Sequence, residues 1–83
     1  MRVLYFAWVR EQVGVGEEAV SPPSDTATVA ALVDWLAQRS PGHAAALADR
    51  SRLRAAVDGV FAPLDASLAG AGEVALFPPV TGG

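Results

Sequence analysis

The residues with the clearest chemical potential end the chain, in the run Phe77-Pro78-Pro79-Val80-Thr81-Gly82-Gly83. Consecutive prolines favour an extended backbone, so we expect this segment to project from the domain. Glycine has no β-carbon, so a terminal Gly-Gly could thread a narrow channel and leave the α-carboxylate of Gly83 accessible. The pattern is consistent with a C-terminus that takes part in chemistry, and also with a frayed end or a cloning remnant.

The other side chains that could do chemistry stand alone. His43 is the single histidine and there is no cysteine, so the chain lacks the clustered ligands of a transition-metal site. We therefore expect His43 to lie in a surface loop. The serines lack the nucleophile-elbow context, and adjacent Glu17 and Glu18 in a strand would point to opposite faces. The sequence predicts no metal site and no catalysis by this chain alone.

Length and composition restrict the class of protein. The chain has 83 residues, a formal net charge of −3 and six basic side chains, all of them arginine. A nucleic-acid-binding domain usually carries a basic stripe instead. The longest apolar run, residues 3–9, is far shorter than the roughly 20 residues that span a bilayer. These observations indicate a single cytoplasmic domain with no nucleic-acid or membrane partner.

Hydrophobic periodicity divides the chain into short strands and one main helix. From Val29, apolar residues recur at i, i+3, i+4 and i+7, which predicts a helix over residues 28–39 with Thr28 as its N-cap. We expect residues 10–13 to form a turn that Gly14 ends. Strands are predicted at residues 3–9, 17–21, 53–57, 60–62 and 73–77, with a short helical turn at 44–49.

The order of these elements predicts the fold. The first and last strands are apolar on successive residues, which is typical of central strands. Placing them side by side, with the helix across one face, gives an α+β β-grasp, or ubiquitin-like roll, with a mixed sheet. We expect this domain to occupy residues 1–77, followed by a flexible tail at 78–83. A ferredoxin-like sandwich would need a second full helix, and the segment 44–49 is too short for one.

One face of such a sheet is not covered by the helix. Strand alternation would place Phe6 and Trp8 on the same face, and Phe61 and Phe77 belong to neighbouring strands. A contiguous apolar patch on a small domain usually marks a partner site. The alternative is that loops or the segment 44–47 cover these side chains.

Several motifs together resemble one protein family. The tail L-F-P-P-V-T-G-G occurs with Y-F-A-x-x-R-E at residues 5–11, T-V-x-x-L at 28–32 and A-A-V at 55–57. This combination resembles the small, sulfur-carrying subunits of molybdopterin synthase over essentially the whole chain. A Gly-Gly end alone is shared by all ubiquitin-like carriers, whereas F-P-P-V-x-G-G joined to F-A-x-x-R-E is more specific. The departures from the family pattern, at residues 71–73 and 58–59, fall at turns.

The resemblance implies a role for the C-terminus. An adenylating enzyme would use ATP to activate Gly83, and a sulfur donor would convert the glycine to a thiocarboxylate. The preceding residues would insert into the large synthase subunit, where sulfur passes to cyclic pyranopterin monophosphate; they are Pro78, Pro79, Val80, Thr81 and Gly82. The chain itself would bind no cofactor. Two small and two large subunits would form a heterotetramer.

The resemblance also implies that these partners grip the same surface of the carrier. Our candidates for the shared apolar patch are Phe6, Phe61 and Phe77, with Arg10 as a polar contact at its rim. A surface ion pair between Arg10 and Glu11 is an equally acceptable interpretation of the arginine.

Two other functions stay open at this point. A sulfur carrier for thiazole synthesis or RNA thiolation would have the same terminus and a different acceptor. A β-grasp interaction domain without acyl chemistry would carry Gly-Gly incidentally.

Overall fold

A computed structural model describes residues 1–79. Its elements in chain order are β1 (Arg2–Tyr5), α1 (Ala7–Val13), β2 (Glu17–Ala19), α2 (Val29–Leu36), α3 (Pro41–Ala46), a 3₁₀ turn (Arg50–Arg52), β3 (Arg54–Val57), β4 (Val60–Ala62) and β5 (Glu73–Phe77). A search of these residues for a helix both long and apolar enough to span a bilayer finds none.

Within residues 1–79, five strands form one mixed sheet in the order β2-β1-β5-β3-β4. The two central apolar strands lie side by side as predicted. β1 and β5 run parallel, with Val3 opposite Val74 and Tyr5 opposite Leu76. The other neighbouring pairs are antiparallel. A parallel pair needs a long crossover connection, and the chain between β1 and β5 provides it. The prediction of a β-grasp fold is confirmed.

The core lies between the sheet and the helices. It contains inward-facing residues of β1 and β5 and the apolar stripe of α2: Val3, Tyr5, Val29, Leu32, Val33, Leu36, Val74 and Leu76. The hydroxyl of Thr28 accepts a hydrogen bond of 3.1 Å from the amide of Ala31, which confirms Thr28 as the N-cap of α2. The helix ends at Leu36, earlier than the sequence predicts.

The predicted strand over residues 3–9 is wrong beyond Tyr5. The amide of Phe6 donates to Leu76 O, but Pro78 and Pro79 follow β5 and have no N–H to extend the ladder. Without a further partner strand, the backbone satisfies its own hydrogen bonds as α1 and buries Val9. Gly14 ends this helix in the left-handed region, with φ of 99°, so the predicted stop is confirmed.

Helix α1 corrects the predicted position of Trp8. Trp8 does not share a face with Phe6. It is half-buried and packs against the core from the helical side, where the guanidinium of Arg52 lies 5.5 Å from its ring centroid.

The short helical turn predicted at residues 44–49 begins earlier, as α3. Ser40 caps it by accepting from the His43 amide at 3.1 Å, and Pro41 occupies the first turn, where its missing N–H costs nothing. Gly42 brings α3 against α1, because a β-carbon there would lie 2.4 Å from Gln12 O. Ser40 and Pro41 therefore begin a helix earlier than the predicted turn.

The predicted hairpin between β3 and β4 is confirmed. Asp58 and Gly59 both have positive φ, 48° and 84°, as in the two-residue turns that suit the twist of paired strands. The Asp58 carboxylate accepts from the amides of Gly72 and Glu73 at 3.1 and 3.0 Å. This side chain therefore connects the hairpin to the start of β5.

Candidate functional site

The face of the sheet opposite the helices is not covered by them; we call it the open face. Ala56 lies opposite both Ala75 and Phe61, and Arg54 lies opposite Phe77. The Phe61 side chain is 78% exposed. The segment 44–47 does not cover this face, since α3 packs on α1 and Leu47 belongs to the core. The interpretation that loops or this segment cover Phe61 is therefore wrong.

Two of the predicted aromatic residues form a groove on the open face. The groove has a volume of about 410 Å³, and we call it the phenylalanine groove. It is lined by Arg54, Ala55, Phe61, Ala62, Pro63 and Phe77. The rings of Phe61 and Phe77 are 5.7 Å apart between centroids and inclined by 55°. Phe77 is half-buried and contributes to the surface rather than to the core.

Phe6 and Arg10 lie outside the phenylalanine groove. Phe6 follows β1 directly, is 48% exposed and donates its amide to Leu76 O, so it stands next to the end of β5. Arg10 lies on α1 and lines a separate groove of about 400 Å³. Its guanidinium packs over Gly16. Among residues 1–79, no ion pair joins Arg10 to Glu11.

The chain leaves the sheet at the phenylalanine groove. Phe77 is the last residue of β5 and a wall of the groove, and the half-buried Pro78 and Pro79 follow it. The predicted chemistry at Gly83 and the insertion of Val80, Thr81 and Gly82 fall outside the described residues and stay predictions. A partner bound at the groove would therefore contact the chain directly before residues 78–83.

Sequence reasoning missed two exposed residues near the groove, Val60 and Arg54. Val60 is 69% exposed on the edge strand β4; it lies opposite Val57, which in turn lies opposite the buried Val74, so its side chain is on the other face of the sheet from Phe61. Arg54 lines the phenylalanine groove. A strand alternation with Leu53 and Ala55 directed inward would have placed Arg54 on the open face. The position of the groove itself depends on the order of the strands.

A polar cluster lies on the helical side, and the expectation that His43 is a surface loop residue is wrong. His43 is 8% exposed and belongs to α3. Its Nε2 lies 2.7 Å from Glu18 Oε2 and its Nδ1 lies 2.7 Å from Ser40 Oγ. The Tyr5 hydroxyl donates to the same Glu18 oxygen at 2.6 Å. We call these four residues the Glu18 cluster.

The Glu18 cluster joins β1, β2 and α3 through one carboxylate. Burial alone would raise the pKa of the Glu18 carboxyl, but hydrogen bonds from His43 and Tyr5, and the charges of His43 and Arg39, outweigh it and lower the pKa. Burial, with the nearby Glu18 carboxylate, raises the pKa of the Tyr5 phenol. Tyr5 therefore stays a neutral donor. Since Ser40 Oγ also caps α3, the contacts assign the cluster a structural role.

We expect the Glu18 cluster to make stability depend on pH in the acid range. A carboxyl whose pKa is lowered by folding stabilises the folded state above its unfolded pKa of about 4.3, and this contribution is lost as pH falls through the folded pKa. Glu18→Gln replaces charge-assisted hydrogen bonds by neutral ones, a loss of about 1 kcal/mol that corresponds to a melting temperature lower by about 4–8 °C. Thermal melts from pH 7 to pH 3 measure this difference.

The difference between the two proteins should shrink as pH falls below the unfolded pKa of about 4.3 and through the lower folded pKa, where the wild-type carboxyl becomes protonated as well. Glu17→Gln is the matched control, because Glu17 is exposed and only pairs with Arg2 at 3.5 Å. Melting temperatures of Glu18→Gln that follow the wild type in parallel over the whole range would contradict the role of the carboxylate.

The described residues contain no group of three His, Cys, Asp or Glu side chains that could hold a metal ion. The polar atoms of the Glu18 cluster all have partners within the protein. The exposed aromatic pair of the phenylalanine groove is the feature of residues 1–79 that suits recognition of a partner.

Comparison with known proteins places the whole chain among small carrier proteins. The family model described as "ThiS family" matches residues 3–83. The molybdopterin synthase sulfur carrier subunit of Escherichia coli is 45% identical over 83 residues, covering 100% of this chain and 99% of the relative. The subunit of the same name from Haemophilus influenzae is 39% identical with the same coverage.

A solved structure supports the same placement. The crystal structure of SAMP1 from Haloferax volcanii superposes with a TM-score of 0.72 and 32% identity, covering 100% of this chain and 98% of the other. The family model, the two relatives and the solved structure each match essentially the whole of this chain.

Proposed function

Because the chain belongs to the ThiS family, we propose that it is a sulfur carrier of molybdenum cofactor biosynthesis and the small subunit of a molybdopterin synthase. Relatives that carry this name match it at 39–45% identity over their full length. The chain donates sulfur and is not catalytic alone. Its partner is the large subunit of the synthase.

The observation that carries the proposal is the position of the phenylalanine groove beside the exit of β5. A carrier has to be held firmly while its C-terminus reaches an active site on another protein. An exposed aromatic pair can supply that grip, because buried aromatic side chains dominate the energy of many interfaces. Pro78 and Pro79 then direct the backbone away from the sheet in an extended form.

The C-terminus needs activation before it can accept sulfur. An ionised carboxylate is a poor acyl electrophile. In an activating enzyme, an oxygen of the Gly83 carboxylate attacks the α-phosphorus of ATP, and pyrophosphate leaves. A sulfur donor at the oxidation level of hydrosulfide then attacks the acyl carbon. AMP leaves with that oxygen, and Gly83 becomes a thiocarboxylate.

The thiocarboxylate carries sulfur into the large subunit. Gly82 and Gly83 have no side chain to block a narrow channel, so we place Pro78, Pro79, Val80, Thr81 and Gly82 in that channel. The sulfur bonds to a carbon of cyclic pyranopterin monophosphate as an oxygen substituent leaves that carbon. Water then cleaves the bond between the Gly83 acyl carbon and the sulfur, so the sulfur stays on the pterin and Gly83 returns to a carboxylate. Two such transfers build the dithiolene. The acid–base groups and the residues that bind the pterin phosphate belong to the partner, and this chain binds no cofactor.

Intact mass spectrometry tests the proposal. The chain is incubated with ATP, an activating enzyme of this class and a sulfur donor, and a reaction without ATP is the control. We expect the mass gain of one oxygen-to-sulfur exchange, followed by conversion of the pterin precursor when the large subunit is added. An unchanged mass would contradict the carrier role. Sulfur transfer to a thiazole precursor or to RNA, with none to the pterin, would assign the carrier to another pathway.

A further inference from the structure

Arg54 is the single charged side chain among the residues that line the phenylalanine groove. It is exposed and lies opposite Phe77 in the sheet. Its stem and the two phenyl rings therefore belong to the same surface. A cation in an apolar groove is unexpected on a chain with a net charge of −3.

Backbone carbonyl groups hold the guanidinium of Arg54, and no acidic group of residues 1–79 pairs with it. Its Nη1 donates to Ser51 O at 3.1 Å and to Leu53 O at 2.9 Å. Carbonyl oxygens fix this end of the guanidinium but do not neutralise it. The guanidinium has five N–H donors in a rigid fork, and no hydrogen bond within residues 1–79 uses its Nε and Nη2 donors.

Three other arginines of this chain have acidic partners, whereas Arg10 and Arg52, like Arg54, form no ion pair within residues 1–79. Arg2 lies at the opposite end of the open face and pairs with Glu73 at 2.8 Å and Glu17 at 3.5 Å. Arg50 pairs with Asp34 at 2.9 Å and Arg39 with Glu18 at 3.5 Å. No ion pair formed within residues 1–79 includes Arg54. The positive charge of the groove is therefore uncompensated within this part of the chain.

A partner that covers the groove has to neutralise the positive charge of Arg54 or bury it unpaired. Removing a guanidinium from water without an anionic partner costs several kcal/mol. A carboxylate can offset that cost, because its two oxygens match two parallel N–H donors of arginine. A lysine or arginine of the partner would instead be repelled. The groove therefore selects for one type of charge as well as for apolar surface.

We propose that Arg54 binds an aspartate or glutamate of the large synthase subunit, in a segment whose apolar side chains cover Phe61 and Phe77. This inference rests on the proposed function, since it concerns the same partner. It adds that the contact between Arg54 and this carboxylate determines which partner surface the groove binds. The phenylalanine rings provide the apolar grip, and the guanidinium fork sets which segment of the partner is accepted.

Isothermal titration calorimetry with the large subunit tests the inference at two salt concentrations. Arg54→Leu keeps an apolar groove and leaves the partner's carboxylate unpaired, so we expect the Kd to rise about 30-fold or more. Arg54→Glu should weaken binding further. Arg54→Lys, which keeps the charge and loses the fork, should fall between the wild type and Arg54→Leu. The wild-type Kd should also depend more strongly on salt than that of Arg54→Leu.

Arg52→Leu is the matched control, since Arg52 is also exposed but stacks on Trp8 away from the open face. We expect its Kd to stay within about twofold of the wild type. Thermal melts verify that each variant is folded. If Arg54→Leu does not fold, the affinity of Arg54→Lys relative to the wild type provides the test.

A charge exchange identifies the partner residue. One Asp or Glu of the large subunit, changed to arginine, should restore binding of Arg54→Glu. Wild-type affinity of folded Arg54→Leu would overturn this inference and leave the proposed function intact. Failure of the wild-type chain itself to bind the large subunit would overturn the proposed function and the inference with it.

Discussion

Removal of Gly83 abolishes sulfur loading and leaves the melting temperature within about 1 °C of the wild type; this is the result that we expect. The deletion places the terminal carboxylate one residue, about 3.5 Å, short of the activated phosphate. A misplacement near 1 Å already costs about 100-fold in rate. Glycine has no side chain to contribute to a core, and among the described residues the core ends at Leu76, so we expect stability to be unchanged. Thiocarboxylate yield by intact mass, measured beside a thermal melt, separates these effects.

Two further variants act as controls on length and width. A glycine added after Gly83 moves the carboxylate one residue, about 3.5 Å, beyond the activated phosphate, so it should also prevent loading. Gly82→Val keeps the length and adds a branched side chain where the channel has to be narrow, and we expect a similar loss. Normal loading of the Gly83-deleted protein would overturn the carrier hypothesis, whatever the result for the other two variants.

The parts of the fold that sequence predicts best depend on local signals. The stripe of α2 and its cap at Thr28 lie within one helix, and the turn at Asp58-Gly59 lies within one hairpin. Helix α1 is different. Residues 7–9 have the apolar composition that is typical of a strand. They are helical because β5, which would have to pair with them, ends at Phe77 before Pro78 and Pro79, about 70 residues further along the chain. Only Gly14 gave a local signal, and it marked the end of α1 without its beginning.

The site divides in the same way. Strand patterns named Phe6, Phe61 and Phe77 in advance as candidates for the open face, although the same pattern wrongly placed Trp8 beside Phe6. Their arrangement could not be predicted, since the strand order β2-β1-β5-β3-β4 decides which of them share a groove. The contact between His43 and Glu18 spans 25 residues and has no periodic signature in either segment. A single histidine without a partner in sequence was for this reason predicted to be exposed.

The second large effect concerns the grip on the large subunit. Phe61→Asp should weaken binding at least about 100-fold, because it removes an aromatic anchor and places an unpaired charge against apolar surface, a cost of a few kcal/mol. Since the Phe61 side chain is 78% exposed, we expect its fold to be unaffected. Calorimetric titration with the large subunit, beside a thermal melt, measures both quantities.

A second aspartate variant shows whether the loss of affinity is caused by the change in the phenylalanine groove or by added negative charge anywhere on the protein. Ala48→Asp introduces the same charge at an exposed residue beside α3, away from the open face, and should bind as the wild type does. Phe77→Asp should weaken binding as well, but it should also lower the melting temperature, because this side chain is half-buried and packs on Phe61. Wild-type affinity of Phe61→Asp would place the interface elsewhere. Equal losses for Phe61→Asp and Ala48→Asp would show that net charge, and not the groove, controls association.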